Sequence, residues 1–449
     1  MMSIRVAALM AIPAFFIPSF GRGADGEAAV FPVESNLRAG VAKVDITPVE
    51  VEGLKTVGHV REVHGVHDPI CAAVLLLDNG DTKAAIVTVD ALSAWDEMVA
   101  VLRQRISEKT GIPAAHILVA VSHNHSGPGW KEHPQWRERA VERITDAAVR
   151  AAGAMRPVTI GYGEDRIDFG INRRGIVNGK ALVRLDPDGP NDPRVKVLRF
   201  DDGRSWSPYA VIVHAVCHPC VFTWGDKATP PWPNGFPQMS ADFPGVAQGL
   251  VEQVYGRTTA MFLQGCAGDI RPNLPGYPYR CGDEADIQWT GRSLGCAAIR
   301  GADRAAVREE RAKRPSHYFL RCASRTVELP GKDGLVAAEL SAMKVGPYLL
   351  LTMPGEPMVE YGFNLERAIA DRAIPIVLGY TNGHVGYICT ASAHEHGGYE
   401  PNSSPLAPEA EELILAELNK LADQVIGDVF EVFAPPEVLQ QRSAAQRSP

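Results

Sequence analysis

A chain of 449 residues, 45% apolar and 22% charged, has the composition of a globular protein and is long enough to bury an extensive core. Its formal net charge of −8, with no basic stripe, argues against nucleic acid as the main partner. Eight cysteines in this length do not make a disulfide scaffold, although an exported chain could still form a bridge or two.

At the N-terminus Arg5 precedes an apolar run from Val6 to Phe20, and Gly21-Arg22-Gly23-Ala24 follows. A cationic start, a short apolar core and small residues near a cleavage point predict a secretory signal over residues 1–24 and an exported protein, periplasmic or secreted. Pro13 and Pro18 count against the rival reading, an uncleaved anchor. Asp45-Ile46-Thr47-Pro48 reads as a turn at the entry of the mature chain. His59, His64 and His67 lie in a glycine-containing loop that could rim a pocket.

Short apolar runs then alternate with helical patterns. The runs predict strands over Ala84–Val89, Ile117–Val121, Tyr209–Val216, Thr259–Leu263, Tyr348–Thr352 and Ile374–Leu378. The patterns predict helices over Trp95–Lys109, Trp136–Ala154, Gly245–Gln253, Gly291–Arg311, Pro357–Asp371 and Pro408–Val425. Strands apolar throughout indicate a sheet covered on both faces, and the alternation with helices indicates an α/β fold. The β-rich stretches 151–204 and 316–346 are read as an antiparallel extension of the same sheet. The expected architecture is a mixed multi-stranded sheet flanked by helices, in one domain over residues 25–434. A polar, disordered tail follows over 435–449.

The strands end in chemistry. Ile117–Val121 runs into Ser122-His123-Asn124-His125, and with strand geometry persisting both histidines would share one face. Tyr209–Val216 runs into Cys217-His218-Pro219-Cys220, Thr259–Leu263 into Gln264-Gly265-Cys266-Ala267-Gly268-Asp269, and Ala84–Val89 into Asp90. Tyr348–Thr352 leads to Glu356, and Ile374–Leu378 to Tyr380, His384 and Tyr387. Ligands of open α/β sheets bind beyond the carboxyl ends of strands. Imidazoles, a carboxylate and a phenol gathered there suit zinc. Plainer roles compete: Glu356 as a helix N-terminal carboxylate, His214 as a core histidine, and His394, Glu395 and His396 as a solvated loop. The Cys217–Cys220 pair also admits a thiol redox site.

Taken together these segments resemble the catalytic domain of the neutral (non-lysosomal) ceramidase family. The resemblance runs through GVAKVDITP from Gly40, GVHDPICAAVLLLDNG, SHNHSGPG, FGINRR, VCHPC, SADFPG, LQGCAGDIRPN, MPGEP, GYICT and GGYE, in that order. It implies a mononuclear zinc held by His123, His218, Glu356 and Tyr387. It further implies that His125, Arg173 and Tyr399 line the reaction centre and that Asp269 matches the family's GDxSPN aspartate. Asn172 and Arg271 are candidate substrate contacts. Zinc would acidify a bound water and polarise an amide carbonyl, His125 or Tyr399 would stabilise the oxyanion, and a nearby group would protonate the leaving amine.

Two departures bear on the substrate. Arg271 stands where that motif has serine, and the chain ends soon after the Pro408–Val425 helix, so the family's C-terminal β-sandwich is expected to be absent. Both argue against ceramide itself. Arg271 either recognises an anionic group or serves as a structural ion-pair partner. The resulting expectation is a zinc-dependent hydrolase of a linear amide, an N-acyl lipid or related molecule, with peripheral membrane contact. The alternatives are a non-catalytic binding protein on the same fold and a periplasmic thiol oxidoreductase using Cys217 and Cys220.

Overall fold

The computed structural model describes residues 35–51, 54, 63, 65–131, 133–205, 207–222, 238–274, 282–307, 310–311 and 313–427. The expected signal segment, the tail 435–449, His59 and His64 lie outside the described residues.

An eight-stranded sheet is built from β1 (Arg38–Asp45), β2 (Cys71–Asp78), β3 (Lys83–Val89), β4 (Ile117–Val121), β5 (Arg156–Arg166), β8 (Arg194–Asp202), β9 (Pro208–Ala215) and β10 (Thr259–Gln264). Its order is β10-β9-β8-β5-β1-β2-β3-β4, with β3–β4 and β9–β10 parallel and the other pairs antiparallel. A second sheet contains β12 (Leu320–Gly331), β13 (Gly334–Val345), β14 (Tyr348–Thr352) and β16 (Ile374–Leu378) in that order. Two small sheets complete the set. One pairs β11 (Ile270–Pro272), β6 (Gly170–Val177) and β7 (Lys180–Asp186); the other pairs β15 (Glu356–Pro357) with β17 (Tyr387–Ile388). The helices are α1 (Asp96–Thr110), α2 (Pro134–Gly153), α3 (Asp242–Tyr255), α4 (Glu284–Ala306), α5 (Val359–Ile369), α6 (Ala391–His396), α7 (Tyr399–Ser403) and α8 (Ala410–Ile426).

Side-chain alternation along the strands sets the layers. In β2, Ala72, Val74 and Leu76 join a core with Met98 and Leu102 of α1, Ile144 of α2 and Leu294 of α4. Ala73, Leu75 and Leu77 point the other way, into a core with Met343, Val345, Leu350, Ile376 and Leu378 of the second sheet. The far face of that sheet, through Leu340, Leu349 and Leu351, packs on Leu365 of α5 and Ile414, Leu418 and Leu421 of α8. The result is four layers: helices, sheet, sheet, helices.

The six expected strands and six expected helices all form; Ile117–Val121, Tyr348–Thr352 and Ile374–Leu378 keep the expected ends and the others shift. Helix α4 starts seven residues before Gly291 because Asp283 and Asp286 form a reciprocal capping box there. The single extended sheet is corrected. Strands β5 and β8 do extend the first sheet, but β12 and β13 stack on it as a second one, and β6 and β7 leave it altogether. Strands buried on one face read alike in sequence whether they extend a sheet or cover it. No helix among the described residues is long and apolar enough to cross a membrane.

The first sheet curls until its edge strands β4 and β10 come within 8 Å. The segment after β16 bridges the gap. Gly379 N–H donates to the Gln264 carbonyl (3.2 Å), Val121 N–H to the Tyr380 carbonyl (3.0 Å) and Asn382 N–H to the Val119 carbonyl (2.9 Å). The carboxyl ends of strands from both sheets thereby meet at one place.

Candidate metal centre

His123 follows β4 in a left-handed turn (φ 65°), so strand geometry does not persist to it. The expected shared face is instead produced by this turn, an uncommon conformation for a non-glycine residue. It brings His123 Nε2 to 3.2 Å from His125 Nε2 and 3.1 Å from His218 Nε2. The ligand atoms of the three rings all lie within 4.8 Å of one another. His123 Nδ1 donates to the Leu92 carbonyl (2.7 Å) and His218 Nδ1 to the Ala267 carbonyl (2.6 Å). A carbonyl only accepts, so both Nδ1 atoms carry a proton, which leaves the Nε2 atoms as the ones turned to the site.

Glu356 enters from β15, where its N–H donates to the Gly386 carbonyl (2.9 Å) and its strand pairs with β17. Gly268 lets the loop after β10 abut this strand; a Cβ there would lie 2.5 Å from the Glu356 carbonyl oxygen. Glu356 Oε2 sits 3.2 Å from the Nε2 atoms of both His123 and His218, yet it is buried without a hydrogen bond. Burial pushes His218 down to about 4 and His125 well below the usual imidazole range. Burial opposes ionisation of Glu356, but the two imidazoles beside it more than offset this and hold its carboxyl well below the usual range. Two Nε2 atoms and a carboxylate oxygen thus converge within 3.1–3.2 Å of one another, and a cation seated among them would be bound by all three. The residues therefore fit a metal, and a nitrogen and oxygen set fits zinc. The helix-start role for Glu356 falls to Asp269, whose Oδ1 accepts from Val359 N–H (3.0 Å) at the head of α5.

Beside Glu356 lies a buried ionic cluster. The Arg173 guanidinium donates to Glu400 (2.8 Å), to the Gly268 carbonyl (2.7 Å) and to the Tyr387 hydroxyl oxygen (3.0 Å). Arg174 binds the other Glu400 oxygen and the carbonyls of Ala393 and Gly397. The guanidinium of Arg173 feels burial first, but neighbouring Tyr387 and Glu400 more than offset it and raise its pKa. Burial raises the Tyr387 hydroxyl, with Glu356 adding to the rise. Tyr399 is half exposed, with its ring 5.6 Å from that of Tyr387 and 5.8 Å from the Arg173 guanidinium carbon.

The other candidates spread outward. Asn172 donates to Asp269 Oδ2 (2.7 Å) and to the Pro190 carbonyl (2.9 Å), while its own oxygen accepts from Arg174 N–H (2.9 Å). Both Asp269 oxygens are thus engaged in tying α5 to β6, and burial pushes its carboxyl up to about 7. Arg271 lies on β11 near Cys217 and Cys220, donating to the Pro272 carbonyl (3.4 Å). Those cysteines are unbridged and buried, and burial raises both thiols, which opposes thiolate redox chemistry. His214 is a core residue donating to the Val377 carbonyl (3.0 Å), and His67 pairs with Asp68. His394 and His396 lie in α6.

Sequence reasoning gives Tyr380 no role beyond its place after β16, and it passes over Arg174 and Glu400. Tyr380 is held in a left-handed conformation (φ 53°) by the Gly355 carbonyl, which accepts from its N–H (2.7 Å). Its ring lies 4.3 Å from that of His123 and 6.3 Å from that of His218, and its buried hydroxyl has no hydrogen-bond partner.

No family model matches the sequence, and no curated protein matches it. Solved structures do. The crystal structure of neutral ceramidase from Pseudomonas aeruginosa superposes with a TM-score of 0.72 at 18% identity, covering 87% of this chain and 74% of that one. This chain has the neutral ceramidase fold. A ceramidase complexed with C2 matches similarly, with a TM-score of 0.69, 18% identity, and 87% and 75% of the two chains covered.

Proposed function

We propose that this protein is a zinc-dependent hydrolase of a linear amide, of the N-acyl lipid class or close to it. The observation that carries the reading is the meeting of two Nε2 atoms and an unpartnered carboxylate oxygen at 3.1–3.2 Å, on the fold of a ceramidase. His123, His218, Glu356 and Tyr387 would hold the ion. Zinc bound there supplies a Lewis acid that polarises a carbonyl and lowers the pKa of water.

The chain's own groups do the rest. The Leu92 and Ala267 carbonyls fix the tautomers and directions of two imidazoles. His125 is neutral at pH 7, so its Nε2 takes a proton from the attacking water and returns it to the leaving amine. Tyr399 donates its hydroxyl proton to the developing oxyanion. Arg173 orients both tyrosines from a buried position. Water is the nucleophile, because Cys266 is buried and its thiol is pushed well above the usual range, and Arg271 cannot attack a carbonyl.

The test is turnover of a panel of N-acyl lipids and simpler amides by zinc-loaded and chelator-stripped protein. Hydrolysis that needs zinc supports the proposal; no hydrolysis of any member, or equal rates without metal, would sink it. A second expectation separates the tyrosines. Tyr387→Phe should weaken zinc retention in a chelator competition. Tyr399→Phe should keep its zinc and lose roughly 10²–10³-fold in kcat, the usual cost of one oxyanion donor. Equal metal loss in both variants would contradict this division.

A further inference from the structure

Two rings of the candidate centre stand on strained backbone. His123 (φ 65°), Tyr380 (φ 53°) and Asn382 (φ 65°) are three of the five left-handed non-glycine residues among those described, and all three lie where β4 and β16 end. For a residue as bulky as tyrosine this conformation is an outlier. Such strain persists only where the surroundings over-determine it, and it gathers at functional sites. Tyr380 is held from both sides. Its N–H donates to the Gly355 carbonyl (2.7 Å), next to Glu356, and its carbonyl accepts from Val121 N–H (3.0 Å), two residues before His123. Asn382 adds a third hold, its N–H donating to the Val119 carbonyl (2.9 Å) and its side-chain oxygen accepting from Val119 N–H (2.8 Å). The tyrosine is thus pinned between the segments that carry Glu356 and His123.

That placement sets its ring against the His123 imidazole, 4.3 Å away and tilted by 38°. His125 and His218 meet the same imidazole edge-to-face at 4.8 and 4.6 Å, and its Nδ1 is tied to the Leu92 carbonyl. A ring whose plane and direction are both fixed keeps a ligand nitrogen aimed. Stacking does not explain the hydroxyl, since phenylalanine would stack as well. The Tyr380 hydroxyl is buried without a hydrogen-bond partner, a cost that phenylalanine would not carry. Burial, and then the charge of Glu356, push it well above its ordinary range, so it remains a donor. Glu356 Oε2 is likewise buried without a hydrogen bond. A donor and an acceptor orphaned in one site are satisfied by what the site takes up. We propose that Tyr380 is a further residue of the reaction centre: its ring positions the His123 imidazole, and its hydroxyl donates to an oxygen, of water or of the amide substrate, taken up beside Glu356. This deepens the proposed function and rests on it, except that the ring's hold on His123 exists without metal.

Two variants separate the ring from the hydroxyl. Tyr380→Phe keeps the ring, whereas Tyr380→Asn drops it and suits the left-handed backbone. In metal-free protein the imidazole NMR signals of His123 should stay sharp in wild type and Tyr380→Phe, and broaden or double in Tyr380→Asn. In a chelator competition Tyr380→Asn should bind zinc roughly tenfold or more weakly, as loss of an outer partner does, while Tyr380→Phe stays within about twofold of wild type. Metal-free Tyr380→Phe should unfold at the wild-type urea midpoint or above it, because the orphaned hydroxyl is gone, yet lose about tenfold in kcat on the amide panel. Crystals of the zinc-loaded protein, alone and with acetohydroxamate, should place an oxygen within hydrogen-bond reach of Tyr380 Oη. A water retained in both assigns the donor to water; a hydroxamate oxygen in the second assigns it to the substrate, and either supports the proposal. No acceptor in either crystal, or a Tyr380→Asn protein with wild-type His123 signals and zinc affinity, overturns it. So does a Tyr380→Phe protein that is less stable and equally active, whose hydroxyl would be structural, or one that loses zinc as Tyr387→Phe does, whose hydroxyl would be a ligand. Wild-type protein that takes up no zinc while Tyr380→Asn shows the His123 response would leave the ring's role standing and defeat the proposed metal centre instead.

Discussion

Glu356→Ala and His218→Ala are each expected to strip the metal and abolish turnover. Removing only the outer partners of metal ligands costs about 10–100-fold in affinity, so loss of a ligand should exceed roughly 100-fold. Among the described residues Glu356 supplies the one carboxylate placed against both Nε2 atoms, at 3.2 Å from each. Without it the two Nε2 atoms remain 3.1 Å apart with no anion to complete the set. His218 is anchored through Nδ1 by the Ala267 carbonyl, so its replacement removes a rigidly held imidazole. At position 123 the left-handed backbone favours Asn over Ala, and His123→Asn is the cleaner variant. Zinc content after dialysis against a weak chelator, with kcat/KM for the best amide, reads both effects. Full occupancy in the Glu356 and His218 variants would remove the ground for this site.

Glu400→Ala should be the most destabilising change outside the metal centre. The carboxylate is buried and answers two guanidinium groups, Arg173 at 2.8 Å and Arg174 through its other oxygen. Its removal leaves two cations in a dry environment, and breaking a buried pair from one side costs about 3–5 kcal/mol. Glu400→Gln keeps the acceptor oxygen and should cost less. The effect should reach the chemistry as well, because Arg173 also holds the Tyr387 hydroxyl. Urea unfolding at neutral pH measures the first effect and turnover at low denaturant the second. A Glu400→Ala protein with a wild-type midpoint would show that the cluster carries no net stability.

The strand ends were legible because apolar runs of five to eight residues give way to segments rich in His, Cys, Gly and Glu. That pattern placed His123, His218 and Glu356 on separate strands without a structure. Other features left no local trace. The stacking of β12 and β13 as a second sheet depends on which buried face meets which, and a buried strand reads the same either way. The helix cap at Val359 comes from Asp269, ninety residues earlier in the chain, and no spacing announces such a pairing. Glu400 follows Tyr399 in the chain, but its partners lie more than two hundred residues away in INRR. Tyr380 reads only as one polar residue of the loop after Ile374–Leu378; the positive φ and the bridge between β4 and β10 place its ring on His123.

The most direct test of the metal centre is anomalous scattering from crystals grown with one equivalent of zinc, recorded on either side of the zinc absorption edge. A single edge-dependent peak is expected among His123 Nε2, His218 Nε2 and Glu356 Oε2. No peak, or one seated elsewhere in the molecule, would contradict the assignment.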